Sequence, residues 1–510
     1  MKRWRLAVSA AVGAALAVFL WSKPWAEWTE AELLPPEQVS APAVYRADVR
    51  IDPHAHTAAG TLSVRFVPGD GQALFHLYPN AFHESADLSG ANWEHILGKQ
   101  RLPGGIRITG VKVDGRPVPV RTLGKTGTIL QVPLEGAAGR RTEVEMGFEL
   151  RVPYNSGRLS YNDHALWLGN WLPILAVQDE TGWRLDPYYP MGDPFYSGTA
   201  NYHLRVTLPD GYSLATTGTE SQAVVTRLRP QGLSHYEVDA WNVRDFALVV
   251  MDDSYRQTVS RVGETVVRTW WQEGDSEETV ARLHDVAVRA LRYYGEQFGT
   301  YPYREYDVVK TGGFFGGMEY PGIVFIQGDA FTRQSGMGAA VVAHETAHQW
   351  FYGLVGSDEV REAWVDESLA DYAAMSFLED ERIAADGYIG YRMERGKVSE
   401  QYANRGLRVR QPLDRFPDWK SYSDLVYARG AAMWWKLRLE WGKERLHRVL
   451  RDYVREHQYK EAGGADLIEA LSRAVGEDAA PFFDYWLGMD LEKRDEAEAW
   501  MRSGRPFRIF

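Results

Sequence analysis

His344-Glu345-Thr346-Ala347-His348 sets two imidazoles four residues apart, with a carboxylate between them. On a helix, positions i and i+4 share a face, so both rings can reach one metal ion. Eighteen residues separate His348 from Glu367, which lies in Trp364-Val365-Asp366-Glu367-Ser368. Two imidazole nitrogens and one carboxylate oxygen form a hydrolytic zinc set, with the fourth position open for water. His344, His348 and Glu367 are therefore the expected ligands of one Zn2+ per chain. Glu345 stands outside that set and is free to act as the base that activates water. A five-residue match of this kind also arises by chance, so its context matters. Helix-compatible residues 338–343 precede it, Gln349-Trp350-Phe351 follow, and Gly353 is the expected stop. A second helical pattern, from about residue 362 to 379, carries Glu367. Asp371, one turn further on the same face, is placed to accept a ring N–H from a ligand histidine.

Two other segments bear on chemistry. Gly316-Gly317-Met318-Glu319-Tyr320-Pro321-Gly322 lies just upstream of the histidine pair. Its glycines permit close approach of the backbone to a ligand. Glu319 there either binds a cation or is the solvated glutamate of a tight turn, and the spacing leaves both readings open. Tyr427, in Leu425-Val426-Tyr427-Ala428-Arg429-Gly430-Ala431, is the kind of donor an oxyanion needs. In a chain with 27 tyrosines, position alone favours a structural role for it.

His344-Glu345-Thr346-Ala347-His348 with Glu367 at this spacing resembles the gluzincin clan. Gly317-Met318-Glu319 upstream and Tyr427-Ala428-Arg429-Gly430-Ala431 downstream make the chain similar to the aminopeptidase-N-like family of zinc aminopeptidases. The resemblance runs from about residue 45 to 487. It is specific in the catalytic half and general in the β half. It implies an α+β multidomain fold, with a saddle-like β-rich N-terminal domain followed by a thermolysin-like α/β zinc-peptidase domain. It implies that Glu319 holds the free α-amino group of a substrate in a loop shaped by Gly316, Gly317 and Met318. It implies that Tyr427 stabilises the oxyanion. Three departures stand out. Tyr320 and Gly317 replace the family's asparagine and alanine, a change expected to alter the first specificity pocket. Gly169-Asn170-Trp171-Leu172-Pro173 has no acid where many members place a second amine-binding residue, leaving Asn170 as the substitute. The resemblance stops before the large C-terminal helical domain of longer members, which predicts a more open site.

The rest of the chain must position these residues. Its 510 residues suggest several domains. The expected divisions are a targeting segment over 1–27, a Pro-containing linker over 28–43, a β domain over 44–252, a catalytic domain over 253–487 and a charged tail over 488–510. Alternation marks strands at residues 44–51, 60–66 and 202–208, with Gly-Pro-Asp clusters between them. After about residue 252, a strand at 265–271 precedes a long amphipathic helix over 276–298 capped by Ser276. Residues 428–487 read as almost wholly helical. The net charge of -12, without a long single-sign run, excludes the basic face a nucleic-acid partner needs. The absence of cysteine excludes disulfides and a thiolate metal site.

Lys2, Arg3 and Arg5 precede sixteen uncharged residues, 6–21. That run lies between a signal-peptide core and a full membrane span. Ser22-Lys23-Pro24-Trp25-Ala26 is a poor cleavage site, so an uncleaved signal anchor is favoured over a cleaved peptide. The basic flank places the N-terminus inside and the bulk of the chain outside the cytoplasm. The resulting expectation is an extracytoplasmic zinc aminopeptidase, membrane-anchored or secreted, acting on peptides with a free N-terminus. The alternatives are a zinc endopeptidase with an open cleft and a catalytically silent cell-surface peptide-binding protein. Intact ligands, base and tyrosine argue against the silent version. No pattern specifies an oligomeric state.

Overall fold

The computed structural model describes residues 33–222, 232–313, 316–332, 336–385 and 387–505. The expected targeting segment lies outside these residues. Among them, no helix is long and apolar enough to cross a membrane. N-terminal β-rich sheets are followed by a mixed α/β unit.

An eight-stranded sheet dominates the first half. Its order, edge to edge, is Thr219–Gln222, Leu233–Val243, Ala200–Pro209, Ala43–Asp52, Thr57–Phe66, Thr142–Arg151, Gly105–Val113 and Arg116–Pro117. Ala43–Asp52 and Ala200–Pro209 run parallel, and the other neighbours are antiparallel. Period-two alternation sends Tyr45, Ala47, Val49 and Ile51 into the core and leaves Arg46, Asp48 and Arg50 on the outer face. Two four-stranded sheets and a two-stranded one complete this half.

In the second half, Thr265–Gln272, Glu305–Thr311 and Ile323–Gln327 pair in parallel, with Tyr255–Val262 and Gly317–Met318 antiparallel at the edges. Parallel strands need helical cover. The helices Glu277–Phe298 and Gly336–Ala347 supply it and pack on one another, with the Tyr294 hydroxyl donating to Ala343 O at 3.0 Å. Ser276 caps the first by accepting from Thr279 N. The second is buried on nearly every side, and Gly338, Ala339, Ala340 and Ala343 are small enough for its neighbours to approach closely. It ends at Ala347, not near the expected stop at Gly353. The amide of His348 still reaches His344 O at 3.2 Å, but the Trp350 indole is drawn to Gly299 O at 2.8 Å and the chain turns through Tyr352, whose φ is 134°.

Two regions read as loose in the sequence are docked. Leu33 is buried against Gly299, and the Asn242 amide donates to Pro36 O and Val39 O. The expected tail holds a helix, Arg494–Ser503, whose Ala497, Trp500 and Met501 form an apolar stripe buried against Trp441 and Phe482. The β-rich half is fastened to the helical half by Arg244. Its guanidinium donates to Tyr352 O at 2.7 Å, Lys460 O at 2.7 Å and Glu461 Oε1 at 3.0 Å.

Candidate metal centre and its cavity

The helix Trp364–Asp380 lies against Gly336–Ala347 and brings Glu367 to the two histidines. His344 Nε2 is 3.1 Å from Glu367 Oε2 and 3.1 Å from His348 Nε2, and His348 Nε2 is 3.3 Å from Glu367 Oε2. A tetrahedral zinc with donors at about 2.0–2.1 Å has ligand-to-ligand edges of about 3.3 Å. The donor set and the triangle both fit one such ion. Each ring is fixed by a second partner. His344 Nδ1 faces Asp371 Oδ1 at 3.1 Å, the contact expected from the sequence, and His348 Nδ1 donates to Phe351 O at 2.9 Å. Both Nε2 atoms are thereby left to a metal.

The electrostatics favour a cation. Burial alone would lower the His344 imidazole, but Asp371 and Glu367 outweigh it and raise it to about 10. Burial would raise Glu367, yet its hydrogen bonds to His344 and His348 hold it below the ordinary carboxylate range. Asp371 is fully buried and still held low by Arg392 and His344.

Glu345 stands outside the triangle and lines the same cavity. Its carboxylate rests where a side chain on residue 317 would lie: a Cβ on Gly317 would fall 2.2 Å from Oε1. Burial raises it to about 8, the neighbouring His344 opposing and Glu319 adding to the rise. That places it near the value a general base needs.

Glu319 is 3% exposed, and its Oε1 has no hydrogen-bond partner. It is not a solvated turn residue. Burial first, then Asp193, raises it to about 8, with His348 opposing the rise. Gln349, which sequence reasoning passed over, braces its loop: Oε1 accepts from Gly322 N at 2.8 Å, and Nε2 donates to Tyr320 O at 3.3 Å. Gly316, at φ 81°, makes the turn into the loop.

Tyr427 lies on a π-helical segment, Ser423–Arg429, and its hydroxyl donates to Glu367 Oε1. Burial and Glu367 push the phenol well above its ordinary value, so it stays a donor.

A cavity of about 700 Å³ opens onto these groups, with Gly316, Gly317, Glu319, Glu345 and Tyr427 in its wall. Three expectations are corrected here. Met318 is fully buried and does not line the cavity, because strand alternation turns it to the opposite face, where its sulfur accepts from Arg158 Nε at 2.7 Å. Tyr320 does not shape the cavity either. It fills the space left by Gly169, where a Cβ would fall 2.0 Å from its hydroxyl, and it donates to Asn170 Oδ1 at 2.6 Å. Asn170, also bonded to Asp245, is spent in that buried network and is absent from the cavity wall. The β half contributes Asp193 instead, paired with Arg158, and both face the cavity. No local pattern announced that pair.

Residues 282–486 match the Peptidase family M1 domain. Aminopeptidase N of Lactococcus lactis subsp. lactis is 31% identical over 220 residues, 40% of this chain and 26% of that protein. Aminopeptidase N of Lactobacillus helveticus is 28% identical over 397 residues, 74% of this chain and 46% of that protein. The chain thus spans between about a quarter and a half of the curated relatives it matches. Among solved structures, the M1 zinc metallopeptidase from Deinococcus radiodurans superposes with a TM-score of 0.60 at 18% identity, over 92% of this chain and 95% of that one. At that identity the likeness is one of fold.

Proposed function

Since the chain belongs to peptidase family M1, we propose that it is a zinc-dependent aminopeptidase that removes residues from the N-termini of peptides. The observation that carries this reading is Glu319. It is a buried, unpartnered carboxylate in the cavity wall, beside His348 of the ligand triangle. A substrate α-ammonium satisfies it with a charge-assisted hydrogen bond. The bond one residue in then lies at the triangle.

His344, His348 and Glu367 would hold the zinc, which when bound supplies a Lewis acid to the scissile carbonyl and makes water more acidic. Glu345 accepts the proton of the attacking water and returns it to the leaving amine. Tyr427 donates to the oxyanion that develops as the carbonyl is attacked. The basic and apolar residues 2–21 support an extracytoplasmic location, membrane-anchored or secreted, and fractionation of the full chain distinguishes the two.

Matched peptides with free and acetylated N-termini test the activity. Free-amine peptides should shorten one residue at a time, and acetylated ones should be nearly inert. Glu319→Ala should erase most of that difference. Internal cleavage of the acetylated peptide at a comparable rate would replace this reading with an endopeptidase.

A further inference from the structure

The two flanks of the ligand triangle differ in their charged groups. On one side, Glu319 lies with His348, their ligand-type atoms within 4.8 Å. Glu319 and Asp193 there face a single guanidinium, that of Arg158. On the other side, His344 leads through Asp371 to Arg392, whose Nε is 2.7 Å from Asp371 Oδ2. Arg392 Nη1 has no hydrogen bond among the described residues. The guanidinium lies 5.4 Å from the Tyr427 ring centroid, so it adjoins the phenol that bonds Glu367. Lys420 lies in the wall of the same cavity, with its side chain 65% exposed. Its ammonium shares Asp424 with Arg395. Arg392, Lys420 and Arg395 thus share two carboxylates, Asp371 and Asp424, and Arg392 and Lys420 face the cavity.

One cavity of about 700 Å³ contains both ends. With an amine at Glu319 and the scissile carbonyl at the triangle, the residues after the cut bond must leave past Tyr427, toward Arg392 and Lys420. Arginine's fixed fork suits a carboxylate, and a lysine in the same wall adds a mobile point charge. Building on the aminopeptidase reading above, we propose that Arg392 and Lys420 form a subsite for a carboxylate just downstream of the scissile bond, so that short anionic peptides are the favoured substrates. The carboxylate is either the peptide's own C-terminus or an Asp or Glu side chain.

The test uses the zinc-loaded full chain and three tripeptides with the same N-terminal residue. One has a free C-terminus, one is its C-terminal amide, and one is an amide with Asp at the second position. The free acid should be cut with kcat/KM on the order of tenfold above its amide, mostly through KM, and the gap should shrink in high salt. If the Asp-containing amide recovers the advantage, the subsite reads a side chain; if it does not, it reads the C-terminus. Lys420→Glu should bring the acid-to-amide ratio close to one, and Lys420→Ala should fall between. Equal kcat/KM for acid and amide in the unaltered protein overturns the subsite while leaving the aminopeptidase reading intact. An acid advantage that persists in Lys420→Glu overturns its assignment to this wall. Failure to shorten any of the three from the N-terminus counts against the aminopeptidase itself.

Discussion

The Tyr427 hydroxyl donates its hydrogen bond to Glu367, the carboxylate that closes the triangle with His344 and His348. In the proposed reaction the phenol would be within reach of the carbonyl, and burial and that carboxylate keep it protonated. A donor whose partner charge exists only in the transition state affects kcat and not KM. Tyr427→Phe should lower kcat by about 10²–10³-fold with KM nearly unchanged. Steady-state kinetics decide it, and an unchanged kcat reduces Tyr427 to a brace for Glu367.

Glu345→Gln should keep the metal and lose turnover by about 10²-fold or more, because the side chain is outside the ligand set. Metal analysis of the purified variant, set beside its rate, separates a lost base from a lost ion. Glu367→Ala should instead lose zinc to a mild chelator, since it removes one of three ligands.

Asp371 contacts no substrate-facing space, yet it holds the His344 ring and is itself held by Arg392 and Tyr388. Asp371→Ala should weaken zinc about 10–100-fold, as loss of a partner that orients a ligand commonly does. It also leaves the Arg392 charge without its carboxylate. Competition with a coloured chelator gives the constant, and an unaltered one removes Asp371 from the metal site.

The pH dependence follows from Glu345. Burial raises its carboxyl from 4.5 to about 8, with His344 opposing that shift. Only the ionised form is a base, so kcat/KM falls as pH falls through its pKa. A cation at the triangle favours ionisation, so the zinc enzyme should show its acid limb below 8 and above 4.5. A profile flat across that window contradicts Glu345 as the base.

The candidate site was legible where it is local. His344 and His348 share a helical face, and Asp371 follows Glu367 by one turn, so short spacings carry those contacts. Chemistry drawn from distant segments was not. Arg158 and Asp193 come from loops of the β half, and their pairing becomes apparent only when those loops meet at the cavity. Met318 and Tyr320 were misjudged for the same reason. Adjacent residues on an extended edge point opposite ways, so a loop motif cannot say which side chains reach the ligand. Asn170 looked available because Asp245, its partner, is 75 residues away. The helix Arg494–Ser503 was missed because its charged residues hide a narrow apolar stripe.

The π-helical winding of Ser423–Arg429 makes that segment a ruler as well as a support. A π turn accommodates one residue more than an α turn. If one residue between 423 and 427 were deleted with the winding kept, Tyr427 would turn by about 100° around the helix axis. Tyr427 would then swing off Glu367 even if every side chain named here were kept. The segment should accept many substitutions on its outer face and no change of length. A related chain with a single gap here would keep the histidines, the glutamates and the tyrosine in its sequence, and still lack a phenol at the metal.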